Sequence, residues 1–161
     1  MAATSFTADL REDEGIALPW PGDKCHVLKR IVDFSEAANH LQSDEAMALF
    51  NIPAFVCVKE VGFRLITAEA EIATSCYLGA FTVTAAGVAT EIDEDGFAAD
   101  VVFNGTVGYI TPDVDAAYMV GGSGKQGYKS TVDWVIAFTN KDSGECHEAK
   151  VEFYAICVDL R

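Results

Sequence analysis

The sequence predicts an all-β domain, a β-sandwich or jelly roll with an extended N-terminal arm. Apolar and polar residues alternate along several segments, turn signals recur roughly every 8–12 residues, and no segment has the pattern of a long helix. The 161 residues suit one domain, and half of them are apolar, enough to bury a core. We assign residues 1–24 to the arm and residues 25–161 to the sandwich.

The arm carries a charged cluster from Arg11 to Glu14 and then two prolines on either side of Trp20. Proline cannot donate to a strand ladder, so this segment is expected to be extended rather than part of a sheet. Trp20 either anchors on a neighbouring subunit, since interfaces are enriched in tryptophan, or caps the core of its own domain. The candidate partner contacts in the arm are Leu18, Pro19, Trp20 and Pro21.

Val27–Phe34 is the first predicted strand. Residues 34–41 place apolar side chains at helical spacing, which suits either a two-turn helix with Ser35 as N-cap or a polar loop. Residues 46–52 form a short strand, because Pro53 disfavours helix at Ile52.

From Phe55 onward the alternation predicts strands. Phe55, Cys57, Val61, Phe63 and Leu65 are expected to face the core. The further predicted strands are 72–78, 81–83, 97–103, 107–110, 118–120, 132–138 and 150–160. The last of these is apolar on both faces, so it is either central in the sandwich or covered by another subunit.

The chain has 25 acidic and 11 basic residues, a net charge of −14. Nucleic-acid binding needs basic residues against phosphates, so we expect no such partner. No apolar run reaches the roughly 20 residues that span a bilayer, and no signal peptide is visible, so we expect no membrane partner. The five cysteines are an odd number and widely spaced, as expected for reduced thiols of a protein made in the cytoplasm.

Two motifs invite a ligand interpretation. The acidic segment 91–96 fails as an EF-hand because Val102 stands where the loop needs its last glutamate; a solvated turn is preferred, and a weak calcium site of another kind stays open. The segment 121–127 fails as a phosphate-binding loop because Met119 and Gln126 replace its required residues. It is instead predicted to be a loop that reaches a partner, through Gly122, Lys125 and nearby Tyr128.

Catalytic residues are not evident. The three histidines are scattered, and the Cys25-His26 and Cys146-His147 neighbours would point to opposite faces of a strand. No nucleophile-elbow motif is present. We therefore predict no enzyme, no catalytic residue, no cofactor and no metal.

The segment 44–53 (DEAMALFNIP), followed by 56–61, the 67–70 turn (TAEA) and Leu78-Gly79, resembles small structural proteins of tailed bacteriophages of the head-decoration (cement) type. The resemblance covers about residues 27–160. It implies a β-sandwich, often a homotrimer, that is fixed to a capsid lattice by binding the major capsid protein, or to another part of the virion, and it carries over no catalytic residue.

The distribution of the acids, in the predicted arm, loops and polar strand positions, suits the outer capsid surface of a virion whose proteins are made in the host cytoplasm. An alternative is a receptor- or carbohydrate-binding module of a tail or fibre, with Tyr109, Tyr118 and Tyr128 stacking on sugars.

Overall fold

The computed structural model describes residues 25–70, 76–84, 88–104, 107–110 and 127–159. The predicted arm, the strand at 118–120, the first part of the strand at 72–78 and the loop at 121–126 lie outside these residues and stay predictions.

Nine strands and one short 3-10 helix make up the described fold. Their bounds are β1 Cys25–Asp33, β2 Ala46–Ile52, β3 Val56–Thr67, β4 Cys76–Val83, β5 Ala89–Val101, β6 Gly108–Ile110, β7 Tyr128–Lys129, β8 Trp134–Asn140 and β9 Lys150–Asp159, with the helix at Ala37–Asn39. No helix within the described ranges is long and apolar enough to cross a membrane.

The strands form two antiparallel sheets. Sheet I has the order β1-β9-β3-β6, with the short β7 also paired to β3; sheet II has the order β2-β8-β4-β5. The inward side chains of both sheets form one hydrophobic core. The prediction of an all-β sandwich is confirmed, while the jelly-roll topology stays a prediction.

Phenylalanine rings join the two sheets at the centre of the core. Phe103, just after β5, lies within 5.0–6.2 Å (ring centroids) of the rings of four other phenylalanines. Phe138 belongs to sheet II, Phe63 and Phe153 to sheet I, and Phe34 follows β1. All five side chains are fully buried. Phe103 therefore contacts both sheets at the centre of the core.

Strand β3 changes which face it buries partway along. Its register against β9 shifts between Val58 and Glu60, which marks a bulge. Before the bulge the core residues have even numbers, Val56 and Val58; after it they have odd numbers, from Val61 onward. A bulge adds one residue and therefore reverses the alternation.

The predicted core positions at the start of this segment are accordingly wrong. Phe55 precedes β3, is half exposed and has a φ of 66°. Cys57 is buried, but it pairs with Val158 on the outer face of sheet I and is not part of the core cluster. Val61, Phe63 and Leu65 face the core as expected.

Residues 34–41 do not form a two-turn helix, and the polar-loop alternative is the one that the structure supports. A single 3-10 turn covers Ala37–Asn39, with Glu36 rather than Ser35 in the capping position. The hydroxyl of Ser35 instead donates to Asp33 Oδ1 at 2.6 Å. Leu41 then pairs with Cys146, which fixes the end of this connection to the segment before β9.

Strand β9 is central in sheet I, between β1 and β3, and coverage of its outer face by another subunit stays a prediction. Val151, Phe153 and Ala155 point into the core, while Tyr154 and Ile156 lie half-buried on the outer face.

The acidic segment 91–96 is part of a strand, so its interpretation as a connecting turn is wrong. It lies within β5, where the register against β4 jumps from Leu78–Ala98 to Ala80–Asp93. Four residues of β5 therefore stand against Gly79 alone. The backbone carbonyls of Asp93 and Glu94 lie where a side chain at Gly79 would be.

Gly79→Ala should therefore lower the free energy of unfolding by about 2–3 kcal/mol, because a Cβ would collide with backbone rather than with a side chain that can rotate away. Gly62→Ala is the matched comparison: the three atoms nearest its Cβ belong to the ring end of Tyr154, which can move away at the cost of its hydrogen bond to Glu60, so a smaller loss of about 1 kcal/mol is expected. Urea unfolding of both variants measures the difference; equal losses would contradict the proposed backbone contact.

Candidate partner-binding surfaces

Only one of the predicted partner contacts falls within the described residues. Leu18, Pro19, Trp20, Pro21, Gly122 and Lys125 lie outside them, so these residues stay predictions. Tyr128 is among the described residues and lies in β7. Its ring meets the ring of Trp134 edge-on, with 4.8 Å between the two ring centroids. It packs against the core cluster, and its partner role stays a prediction.

The buried cysteines show the chemistry of core residues. Burial raises the pKa of Cys76 and that of Cys157 to about 12, and it raises the pKa of Cys146 further. The thiolate is the reactive form of cysteine, so these thiols are held in their unreactive state. Among the described residues, no group of three or more His, Cys, Asp or Glu side chains is placed to hold a metal ion.

One buried carboxylate was not anticipated from the sequence. Glu69 follows β3 and is almost fully buried. Its Oε2 accepts hydrogen bonds from three successive backbone N–H groups, those of residues 147, 148 and 149, at 2.9, 2.8 and 3.1 Å. The backbone N–H of Glu69 donates to the carbonyl of Phe103 at 2.9 Å. Glu69 thus ties the segments after β3 and β5 to the one before β9.

Two opposing effects set the charge state of Glu69. Burial raises its pKa, but the three backbone hydrogen bonds and the nearby His147 ring outweigh burial, and the pKa lies below its ordinary value of 4.5. Hydrogen bonds to the ionised form of a carboxylate favour that form. Glu69 is therefore a charged structural clamp whose Oε2 binds three successive backbone N–H groups.

The outer face of sheet I carries a polar network across three strands. Glu152 of β9 lies 3.4 Å from Lys29 Nζ of β1 and 3.2 Å from Arg64 Nη2 of β3. Beside it, the hydroxyl of Tyr154 donates to Glu60 Oε1 at 2.6 Å, and its ring lies over Gly62, where only the lack of a side chain leaves room. Side chains of β1, β3 and β9 are thus linked across the outer face of sheet I.

Charge is divided unequally between the two sheets. The strands of sheet I carry six basic residues against four acidic ones, whereas the strands of sheet II carry no basic residue. The basic residues of sheet I are Lys29, Arg30, Lys59, Arg64, Lys129 and Lys150. The acidic residues of sheet II are Glu91, Asp93, Glu94, Asp95 and Asp100, all on β5. In a strongly acidic chain, sheet I therefore forms the comparatively basic side of the sandwich.

Known proteins share this fold across nearly the whole chain. No protein-family model and no curated protein matches the amino-acid sequence of this chain. A chain of the capsid of Ralstonia phage GP4 superposes with a TM-score of 0.66 at 8 % identity, covering 98 % of this chain and 97 % of that one. The chain has the fold of a phage capsid-structure component.

A second solved structure has a similar chain. The acidic stable capsid structure of Helicobacter pylori bacteriophage KHP30 contains a chain with a TM-score of 0.52 at 12 % identity, covering 85 % of this chain and 89 % of that one. At such low sequence identities the likeness establishes the fold alone. Proteins with unrelated activities can share one fold.

Proposed function

We propose that this protein is a structural component of a bacteriophage virion, a decoration (cement) protein that binds the major capsid protein on the outer surface of the head. One observation carries the proposal: the fold matches a chain of a phage capsid structure over 98 % of this chain and 97 % of the other.

The described interior supports a scaffold role. The buried carboxylate of Glu69 is bound by backbone N–H groups, and burial raises the pKa of the Cys76, Cys146 and Cys157 thiols. A cement protein acts by bridging neighbouring coat subunits, and many weak contacts across the lattice add up to firm attachment. The acidic sheet II suits an exposed side, since its charges stay hydrated and keep particles apart.

The proposed contacts to the capsid are the arm residues Leu18, Pro19, Trp20 and Pro21 and the loop residues Gly122 and Lys125. A homotrimer made in the host cytoplasm, without nucleic acid or membrane as partner, completes the proposal. Tyr128 is a weaker candidate than the others because its ring packs on Trp134.

Phage heads that lack this protein provide the test. Adding the purified protein should place density on the outside of the head and raise the temperature at which the heads release DNA. The Trp20→Ala variant should bind more weakly, by about tenfold or more if Trp20 is a central contact, whereas Phe6→Ala, the same kind of change elsewhere in the arm, should bind normally. Failure of the wild-type protein to bind, or density on the tail instead, would reject the decoration role; a tail position would favour receptor or carbohydrate binding.

A further inference from the structure

The fold brings together two histidines that are far apart in the sequence. Leu41 and Cys146 form an isolated antiparallel bridge, in which the backbone N–H of each residue donates to the carbonyl of the other, at 3.1 and 2.9 Å. Residues that flank such a pair also face each other, with their side chains close together. His40 and His147 are the flanking residues on one side of the bridge, and their ring centroids are 5.9 Å apart.

The two rings lie on the accessible side of this bridge. Leu41 and Cys146 are fully buried, and side chains alternate between the two faces of extended backbone, so the flanking residues point away from the core. The side chains of His40 and His147 are 31 % and 27 % exposed. Both rings are therefore accessible to an ion from solution.

Glu145 contacts both imidazole rings at the same ring atom. Its Oε1 lies 3.2 Å from Nδ1 of His40, and its backbone carbonyl oxygen lies 2.9 Å from Nδ1 of His147. Gln42, which faces Glu145 across the bridge, donates from Nε2 to the same Oε1 and so orients the carboxylate. Carboxylate and carbonyl oxygens only accept hydrogen bonds, so each contact places the N–H of a neutral ring at Nδ1 and the lone pair at Nε2.

This tautomer is the one that binds a metal ion through Nε2. Histidines that bind metals donate their other ring N–H to a carboxylate or to a backbone carbonyl, which orients the ring and raises the basicity of the ligand atom. Glu145 supplies one partner of each kind. With metal–nitrogen bonds of about 2.0–2.1 Å, two imidazoles on one ion have their ring centroids about 5–6 Å apart. The separation of 5.9 Å between His40 and His147 agrees with this distance.

Two further carboxylates lie beside His147. Glu69 Oε1 is 3.9 Å from its Nδ1, and Glu148 Oε1 is 3.9 Å from its Nε2. The pKa of Glu69 lies below 4.5, so this carboxylate is ionised at neutral pH. Negative charge at this distance attracts a cation, and a carboxylate near the ligand atom can accept a hydrogen bond from water on the ion.

We propose that His40 and His147 bind one divalent transition-metal ion of the zinc class through their Nε2 atoms, and that water completes its coordination. Imidazole suits zinc, copper and nickel, whereas magnesium and calcium take oxygen ligands. No third His, Cys, Asp or Glu within the described ranges is placed to join the pair. The histidines are scattered along the chain, which is why the sequence predicts no metal, and the bridge is what brings two of them together. This inference does not depend on the virion role.

Zinc titration of the full-length protein, prepared without a histidine tag, tests this site at about pH 7.5, where imidazole is largely neutral. Calorimetry should show one zinc ion bound per chain. His40→Ala and His147→Ala should each weaken binding by about tenfold or more, because the ion loses one of its two imidazoles. His26→Ala is the matched control: it removes the third histidine of the chain, which lies on β1 opposite Cys157, and should leave the affinity unchanged.

Nuclear magnetic resonance of the wild-type protein identifies the ligand atoms without any substitution, so the test does not depend on the folding of a variant. Zinc should shift the nitrogen resonances of Nε2 in His40 and His147 and leave those of His26 unchanged. Absence of zinc binding, equal affinity of the three histidine variants, or unshifted Nε2 resonances would overturn the proposal. Loss of binding in Cys25→Ser, which removes the exposed thiol, would overturn it as well.

Discussion

Glu69→Ala should lower the free energy of unfolding by about 3–5 kcal/mol, because it leaves three backbone N–H groups without an acceptor inside the protein. Water can partly enter the space that the side chain leaves. We therefore expect a loss smaller than three times the cost of one buried N–H group without an acceptor. Urea unfolding followed by circular dichroism measures it.

Glu69→Gln should cost about 1–3 kcal/mol, because the amide keeps one oxygen for the three donors but loses the charge. Its NH₂ group would also face the N–H of Ala70, which donates to Oε1 in the wild-type protein at 3.2 Å. Glu148→Ala is the matched control, since this neighbouring carboxylate is exposed. The clamp would be refuted if Glu69→Ala unfolded at the same urea concentration as Glu148→Ala.

The same residue sets part of the response to acid. The pKa of Glu69 is lower in the folded protein than its ordinary value of 4.5, so its stabilisation is present above that pH and is lost as the pH falls through the folded pKa. Stability should therefore fall more steeply below pH 4.5 in the wild-type protein than in Glu69→Gln. Some slope should persist in the variant, because hydrogen bonds from Lys150 and Ser35 lower the pKa of Asp33 to about 2. Equal slopes in both proteins would argue against a charged clamp.

Phe103→Ala should lower the free energy of unfolding by about 3–5 kcal/mol through the cavity left between the sheets. Phe103 contacts phenylalanines from both sheets, so the two sheets would have to move together to fill the space. Phe103→Leu, which keeps most of the volume, should cost about 1.5 kcal/mol or less.

Phe55→Ala is the control for removing a phenyl ring, because Phe55 is half exposed and alanine keeps the Cβ on which the strain of its positive φ depends. It should stay within about 0.5 kcal/mol of the wild-type protein. Both variants are compared by urea unfolding, and a loss for Phe103→Ala no larger than that for Phe55→Ala would contradict its central position.

The candidate surfaces could be predicted only in part. The interpretation of Tyr128 as a partner contact rests on its place beside a glycine-rich loop, while its packing on Trp134 arises because the consecutive strands β7 and β8 belong to different sheets. Glu69 stood within the TAEA turn that carried the phage resemblance, yet no local pattern shows that a glutamate will be buried. Its partners come from a segment 78–80 residues away.

The sequence by itself determined the all-β class and most strand positions, because alternation and turn residues act locally. Pro53 disfavours helix at Ile52 and so predicts the strand over Ala46–Ile52. The apolar patterns of the last two strands predict β8 and β9. Tertiary structure alone decided three things: where β3 reverses its faces, that the acidic segment of β5 passes Gly79, and that β1 and β5 end their sheets. Each depends on which strand lies alongside, and strand pairing joins segments far apart in the chain, so no local pattern contains it.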